Sequence, residues 1–141
     1  MCLFKRPDTI RSIDSLERLT LRETGMRFCE EYEIICKGEE AEVTLYGIRF
    51  NRGEDIRIPE KRKTHPAAAV LELVNSCGVA SWNGFHGAHP KGVLDGTMFR
   101  LEALANGGAR ICAEGSQNFP RKYRDFTNGL RELLEGGELQ E

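Results

Sequence analysis

The segment from Val79 to Gly96 concentrates the side chains best suited to chemistry. It holds the single Trp of the chain and two of its three histidines. The candidates in this segment are Trp82, Phe85, His86 and His89. Ordered connections of this length often carry function. In one interpretation both aromatic rings fold inward and close the core. In the other, the rings and the imidazoles line a site for a ligand or a partner, and both interpretations can hold together.

A second candidate is the segment Gly115–Asn118, which precedes a predicted helix and is followed by basic residues beginning with Arg121. The N-terminus of a helix attracts anions through its unpaired N–H groups and its dipole. Cations normally prefer the other end of a helix, so their position here favours a small anion, a phosphate-bearing ligand or an acidic partner. Alternatively, Ser116 or Asn118 is an ordinary cap, and Arg121 pairs with Asp125.

Metal and nucleophile chemistry are less well supported. His86 and His89 could bind a metal together with Cys77 or Asp95, but zinc needs three or four converging ligands, and the chain has neither CxxC nor HExxH. We therefore expect no metal and no cofactor. Cys77 lies at the C-terminus of a predicted helix, where the dipole disfavours a thiolate, and Ser116 lacks the Gly-x-Ser-x-Gly elbow.

The composition excludes several classes of protein. The chain has 141 residues, of which 40% are hydrophobic and 30% charged, and its net charge is -2. These values predict a single folded domain over residues 1–141. Because there is no basic excess, we expect no nucleic-acid partner. No apolar run is long enough to span a bilayer, and the N-terminus lacks the features of a secretory signal, so we expect no membrane association and a cytoplasmic location.

The first part of the chain predicts strands. Residues 1–14 mix charge with isolated apolar residues and are expected to form a loosely held arm. Apolar and polar residues alternate over 19–22, which predicts a strand. A shorter alternation over 56–58 precedes Pro59 and predicts an edge strand, followed by an exposed loop at 60–63.

Residues 28–36 and 43–50 are rich in β-branched and aromatic residues and predict an antiparallel hairpin. Its register depends on the length of the loop. A loop of three residues aligns Ile34 with Thr44, whereas a loop of four aligns Ile34 with Leu45. The sequence leaves this choice open.

The spacing of apolar residues predicts two helices. The first has Pro66 in its first turn, Thr64 or His65 as its cap, and Gly78 as its stop. The second begins near Pro120, and a glycine pair ends it.

Between the helices, 97–105 and 109–114 predict a second hairpin. A loop of three residues places Ala113 opposite Leu101 and Ile111 opposite Ala103, which gives better apolar matching than a loop of two. This register is therefore preferred.

Several short motifs lie in the second half of the chain: Trp82, the pair Asp95-Gly96 before a strand, and a Gly-Ser-x-Asn-Phe-Pro-x-x-Tyr segment at 115–123. In these motifs, from about Val70 to Leu134, the chain resembles a set of small uncharacterised bacterial α+β proteins. The resemblance implies a domain of this class and brings no activity.

These elements predict a single α+β domain, in which an antiparallel β-sheet of about five to six strands has two helices packed on one face. The predicted core residues are those whose spacing places them on the covered faces: Leu19, Leu21, Tyr32, Ile34, Val70, Val74, Phe99, Leu101, Ile111, Phe126 and Leu130.

The second hairpin also predicts where a binding surface lies. The chain enters it from 79–96 and leaves it into 115–118, so both segments reach the same end of the sheet. We expect a pocket there, lined by an aromatic ring, an imidazole and a helix N-terminus. The candidate ligand-binding residues are Trp82, Phe85, His86, His89, Ser116, Asn118 and Arg121.

This site predicts a non-enzymatic binding or protein-interaction module for a small polar or anionic ligand or a protein partner. The alternative is a small metal-dependent enzyme or hydrolase that uses His86 and His89. Exposed sheet edges would also allow a homodimer.

Overall fold

The computed structural model describes residues 11–137 and has an α+β architecture, as predicted. Its strands are β1 (Leu16–Thr24), β2 (Cys29–Lys37), β3 (Glu40–Asn51), β4 (Glu54–Pro66), β5 (His86–Gly87), β6 (Met98–Ala105) and β7 (Ala109–Ser116). Its helices are α1 (Ala67–Ser76) and α2 (Tyr123–Leu133), and a 3-10 turn covers Val79–Trp82. None of the helices in 11–137 is long and apolar enough to cross a membrane.

The strands form one sheet in the spatial order β4-β3-β2-β1-β6-β7-β5. Neighbouring strands are antiparallel, except that the two-residue β5 runs parallel to β7. The sheet therefore has seven strands within the described residues, rather than the five to six expected. The number is higher partly because β5 lies inside the segment that showed no periodicity.

Both helices pack on one face of the sheet, which we call the helix face. Val70 and Val74 of α1, and Phe126 and Leu130 of α2, join one buried cluster with the inward residues of the strands. All residues predicted for the core are buried. Ile13 is buried as well, and its main chain exchanges two hydrogen bonds with the side chain of Asn75. Residues 1–10 of the predicted arm lie outside the described residues.

The loop of the first hairpin is shorter than either alternative. Lys37 pairs with Glu40 across a two-residue loop, so Ile34 lies opposite Val43. Both registers considered from the sequence are therefore wrong. Gly38 has a φ of 61° at the first loop position, which glycine adopts readily in two-residue hairpin turns.

The exposed loop predicted at 60–63 is also wrong, because β4 continues through it to Pro66. A bulge at Glu60 absorbs one residue: Tyr46 pairs with Pro59 and Leu45 pairs with Lys61. The edge position predicted for this strand is confirmed. The Arg62 N–H donates a hydrogen bond of 2.7 Å to the Gly137 carbonyl, which covers part of this edge.

Neither helix has a side-chain cap. The caps predicted at Thr64 and His65 are wrong because both residues belong to β4, and His65 Nε2 instead lies 2.6 Å from the Leu133 carbonyl. Gly78 ends the first helix with a φ of 69°, as predicted. The second helix begins at Tyr123 rather than near Pro120.

The second hairpin has the predicted register. Leu101 lies opposite Ala113 and Ala103 opposite Ile111, across a loop whose residues 106–108 all have positive φ. This hairpin positions the candidate site.

Candidate functional site

The two candidate segments meet at one end of the sheet, as the hairpin topology predicted. His86 and Gly87 pair with Glu114 and Gly115, so the 79–96 segment becomes a short strand beside β7. Gly87 and Gly115 must be glycines, because a Cβ at either position would collide with the Asn118 carbonyl. The chain after β7 therefore packs closely on β5.

Trp82 lies in the core. Its side chain is 2% exposed, and its ring meets Phe126 edge-on with the centroids 5.5 Å apart. The indole N–H donates a hydrogen bond of 3.0 Å to the Arg121 carbonyl, while the Arg121 residue itself is exposed. The indole thus holds the segment that leads into α2.

Phe85 is half-buried and belongs to a chain of aromatic rings on the helix face. Its ring lies 6.1 Å from that of Phe99, which lies 5.5 Å from Phe119, and Phe119 stacks on Tyr123 at 4.8 Å. Trp82 and Phe85 therefore both fold inward, as in the first of the two interpretations of this segment. Neither ring lines the cavity that holds His86 and His89, although Phe99 does.

The imidazoles lie on the opposite, open face of the sheet. A cavity of about 390 Å³ is found there, at the ends of β1, β6 and β7. We call it the imidazole pocket; its polar side chains belong to Arg22, Thr24, His86, His89, Arg100, Glu114 and Ser116. Three of the predicted residues, His86, His89 and Ser116, therefore come together.

Ser116 and His89 form a hydrogen-bonded pair. Ser116 Oγ lies 2.8 Å from His89 Nδ1, and His89 Nε2 contacts the Val93 carbonyl oxygen. A carbonyl oxygen only accepts hydrogen bonds, so Nε2 carries a proton. In the neutral ring Nδ1 is then an acceptor, and the Ser116 hydroxyl donates to it.

Two arginines, Arg22 and Arg100, line the same pocket. Arg22 and Arg100 are direct partners across the β1–β6 pair, and their side chains share the open face. Like charges in this position destabilise a sheet. Arg22 is compensated by Asp55 Oδ2 at 2.8 Å and Glu31 Oε1 at 3.2 Å, and the hydrogen bond with Asp55 raises the pKa of Arg22.

Arg100 is held less closely. Its Nη2 is 4.0 Å from Glu114 Oε1, which is too long for a hydrogen bond, and its side chain is 53% exposed. His86 Nδ1 lies 3.8 Å from the other Glu114 oxygen. Among the lining residues, Glu114 is the sole carboxylate against two guanidinium groups and two imidazoles.

Asn118 has a structural contact. Its side-chain N–H donates a hydrogen bond of 3.2 Å to the Ala88 carbonyl, which fixes the approach to His89. Neither Asn118 nor Ser116 caps α2, because the N-cap position belongs to Lys122. The cap interpretation is therefore wrong.

A second cavity was not predicted from the sequence. This tyrosine cleft, of about 520 Å³, lies on the helix face at the start of α2, and its lining includes Glu23, Tyr123 and Arg131. The Tyr123 hydroxyl donates a 2.6 Å hydrogen bond to Glu23 Oε2, and burial and the Glu23 charge raise the pKa of Tyr123. Glu23 was not predicted as a site residue, although it follows Leu19 and Leu21 at the two-residue spacing that places all three on the inward face.

The part of the chain between residues 11 and 137 contains no group of three or more His, Cys, Asp or Glu side chains that could hold a metal ion. His86 and His89 are therefore not joined by a third such ligand there.

Comparison with protein-family models, with curated proteins and with solved structures gave no match. The resemblance based on the 115–123 segment remains a prediction.

Proposed function

We propose that the imidazole pocket binds a small anion, such as an organic carboxylate or a phosphate. The observation that carries this proposal is the direct opposition of Arg22 and Arg100 across β1 and β6 at the pocket. An anion between them would relieve the like-charge contact and accept charge-assisted hydrogen bonds.

The other side chains fit the same ligand. Ser116 and His86 add a hydroxyl and an imidazole to the rim, and Arg100 is exposed enough to turn toward an incoming anion. The helix N-terminus of the predicted pocket plays no part, because α2 begins on the other face. The positive charge comes from arginine side chains instead.

Under this proposal, the protein is a binding module for a small ligand of the cytoplasm. A metal-dependent enzyme is the weaker candidate because no third ligand accompanies the histidines in the described residues.

Calorimetric titration tests the proposal with two probes, inorganic phosphate and succinate. Arg100→Gln should weaken binding by about 10- to 100-fold, because a hydrogen bond to a charged group contributes about 1.5–3 kcal/mol. Arg110→Gln is the matched control, since Arg110 is an exposed arginine of β7 outside this pocket. Equal losses in both variants, or no binding of either probe to the wild type, would contradict the proposal.

A further inference from the structure

We propose that Ser116 is a nucleophile activated by His89, and that the imidazole pocket hydrolyses an ester whose acyl part carries an anionic group. This inference rests on the proposed function, because the bound anion would be that part of the substrate. The inference adds a reaction, ester hydrolysis, to a pocket for which only anion binding is proposed above.

The hydrogen bonds around His89 have the polarity that a general base requires. The Val93 carbonyl fixes the proton on Nε2 and thereby directs the Nδ1 lone pair at the Ser116 hydroxyl, 2.8 Å away. Nucleophile, base and orienting acceptor thus follow one another in line, which is the arrangement that activates serine and cysteine in hydrolases.

Both members of the pair are held in place by the main chain. Ser116 is the last residue of β7 and pairs with Met98, and the next residue, Gln117, has a φ of 48° and donates its N–H to the Thr97 carbonyl. The imidazole is held through Val93 on one side and through Ser116 on the other. A nucleophile gains from such positioning because little freedom is lost on reaction.

Ser116, Arg22 and Arg100 line one cavity on one face of the sheet. The guanidinium groups would hold the anionic group of the ester and place positive charge beside its carbonyl. That charge stabilises the oxygen that becomes negative during attack. The substrate class is therefore an ester of a small dicarboxylic acid, with one carboxylate unesterified.

The reaction balances with water as the second reactant. The Ser116 oxygen forms a bond to the acyl carbon while its proton passes to His89 Nδ1. The bond between the acyl carbon and the alcohol oxygen then breaks, and Nδ1 returns the proton to that oxygen as the alcohol leaves. Water attacks the acyl-serine through the same proton path, which releases the acid and restores the Ser116 hydroxyl.

A fluorophosphonate probe tests the nucleophile directly, because the serine oxygen displaces fluoride from phosphorus and stays covalently labelled. We expect one adduct, located at Ser116 by peptide mass spectrometry. Ser116→Ala should abolish it. His89→Gln should slow labelling by about 100-fold or more, since glutamine can keep the contacts but cannot act as a base. Thermal melting confirms that both variants fold.

Ser81→Ala is the matched control. Ser81 is exposed, whereas Ser116 is half-buried, and the Ser81 hydroxyl donates to the Gly78 carbonyl rather than to an imidazole, so this variant should label at the wild-type rate. Hydrolysis of a 4-nitrophenyl hemisuccinate should exceed that of 4-nitrophenyl acetate, and Arg100→Gln should remove the difference.

The two proposals fail in different ways. If succinate binds in calorimetry but Ser116 takes up no probe, the nucleophile assignment is overturned and the anion site stands. If wild-type protein binds neither succinate nor phosphate, the anion site is overturned, and with it the substrate class.

Discussion

The Tyr123 hydroxyl and the Glu23 carboxylate form a hydrogen bond of 2.6 Å that joins the first turn of α2 to the end of β1. Glu23 is 7% exposed and lies on the helix face, where it lines the tyrosine cleft. A buried carboxylate that loses its donor keeps the full cost of desolvation, so this contact is a sensitive point of the fold.

Tyr123→Phe should lower the free energy of unfolding by about 1–3 kcal/mol, because it leaves the Glu23 carboxylate without this donor. Urea denaturation measures the change. In the Glu23→Gln background the same substitution should have a smaller effect, because the amide is uncharged and the buried charge is gone. Equal effects in the two backgrounds would contradict a coupling between these residues.

Glu33 should make stability depend on acid pH. Burial of its carboxyl raises the pKa, but Arg57, together with hydrogen bonds from Tyr46 and Arg18, outweighs burial and lowers the pKa below the usual 4.5. A lowered folded pKa means that Glu33 stabilises the fold above about pH 4.5, and that this stabilisation is lost as the pH falls through the folded value.

Wild type should therefore be more stable than Glu33→Gln near neutral pH, and the difference should shrink in urea titrations below pH 4.5. Glu42→Gln serves as the control, because Glu42 is half exposed and lies 3.6 Å from Arg62 on the same face. A gap between wild type and Glu33→Gln that stays constant from pH 7 to pH 3 would refute the assignment.

Trp82 should be the main anchor of the 79–96 segment. Trp82→Ala removes the ring that packs on Phe126, and it also removes the N–H that donates to the Arg121 carbonyl. We therefore expect a loss of about 3–5 kcal/mol in the free energy of unfolding. Leu94→Ala, at a side chain that is 95% exposed in the same segment, should change stability by about 0.5 kcal/mol or less. Similar losses in both variants would show that the segment is held elsewhere.

Alternation and helical spacing were sufficient to predict the core and the second hairpin. The apolar match of Leu101 with Ala113 left one register that buries a continuous face. The register of the first hairpin was predicted wrongly, because its loop has two residues, with Gly38 at a positive φ, rather than the three or four expected. In β4, the charged residues 60–63 were predicted to form a loop, but an edge strand can expose such side chains. The bulge at Glu60 also interrupts the alternation that would indicate a strand.

The sequence predicted the end of the sheet at which the candidate pocket lies, but not the face of the sheet on which it lies. The hairpin topology brings His89 to Ser116, yet the sequence does not show that Trp82 and Phe85 turn to the helix face while the imidazoles turn to the open face. That separation depends on the two-residue strand at His86, which has too few residues to show any period. Arg22 and Arg100 were missed because their meeting depends on the β1–β6 pairing, which joins distant parts of the chain.

The most direct test of the anion site is a titration of ¹⁵N-labelled protein with inorganic phosphate, followed by the backbone amide shifts. The largest shifts should fall on the residues around the imidazole pocket, with Arg100, Gly87 and Ser116 among them, and should shrink in Arg100→Gln. Shifts concentrated instead at Lys122 and Arg124, beside the tyrosine cleft, or no shifts at all, would contradict an anion site between Arg22 and Arg100.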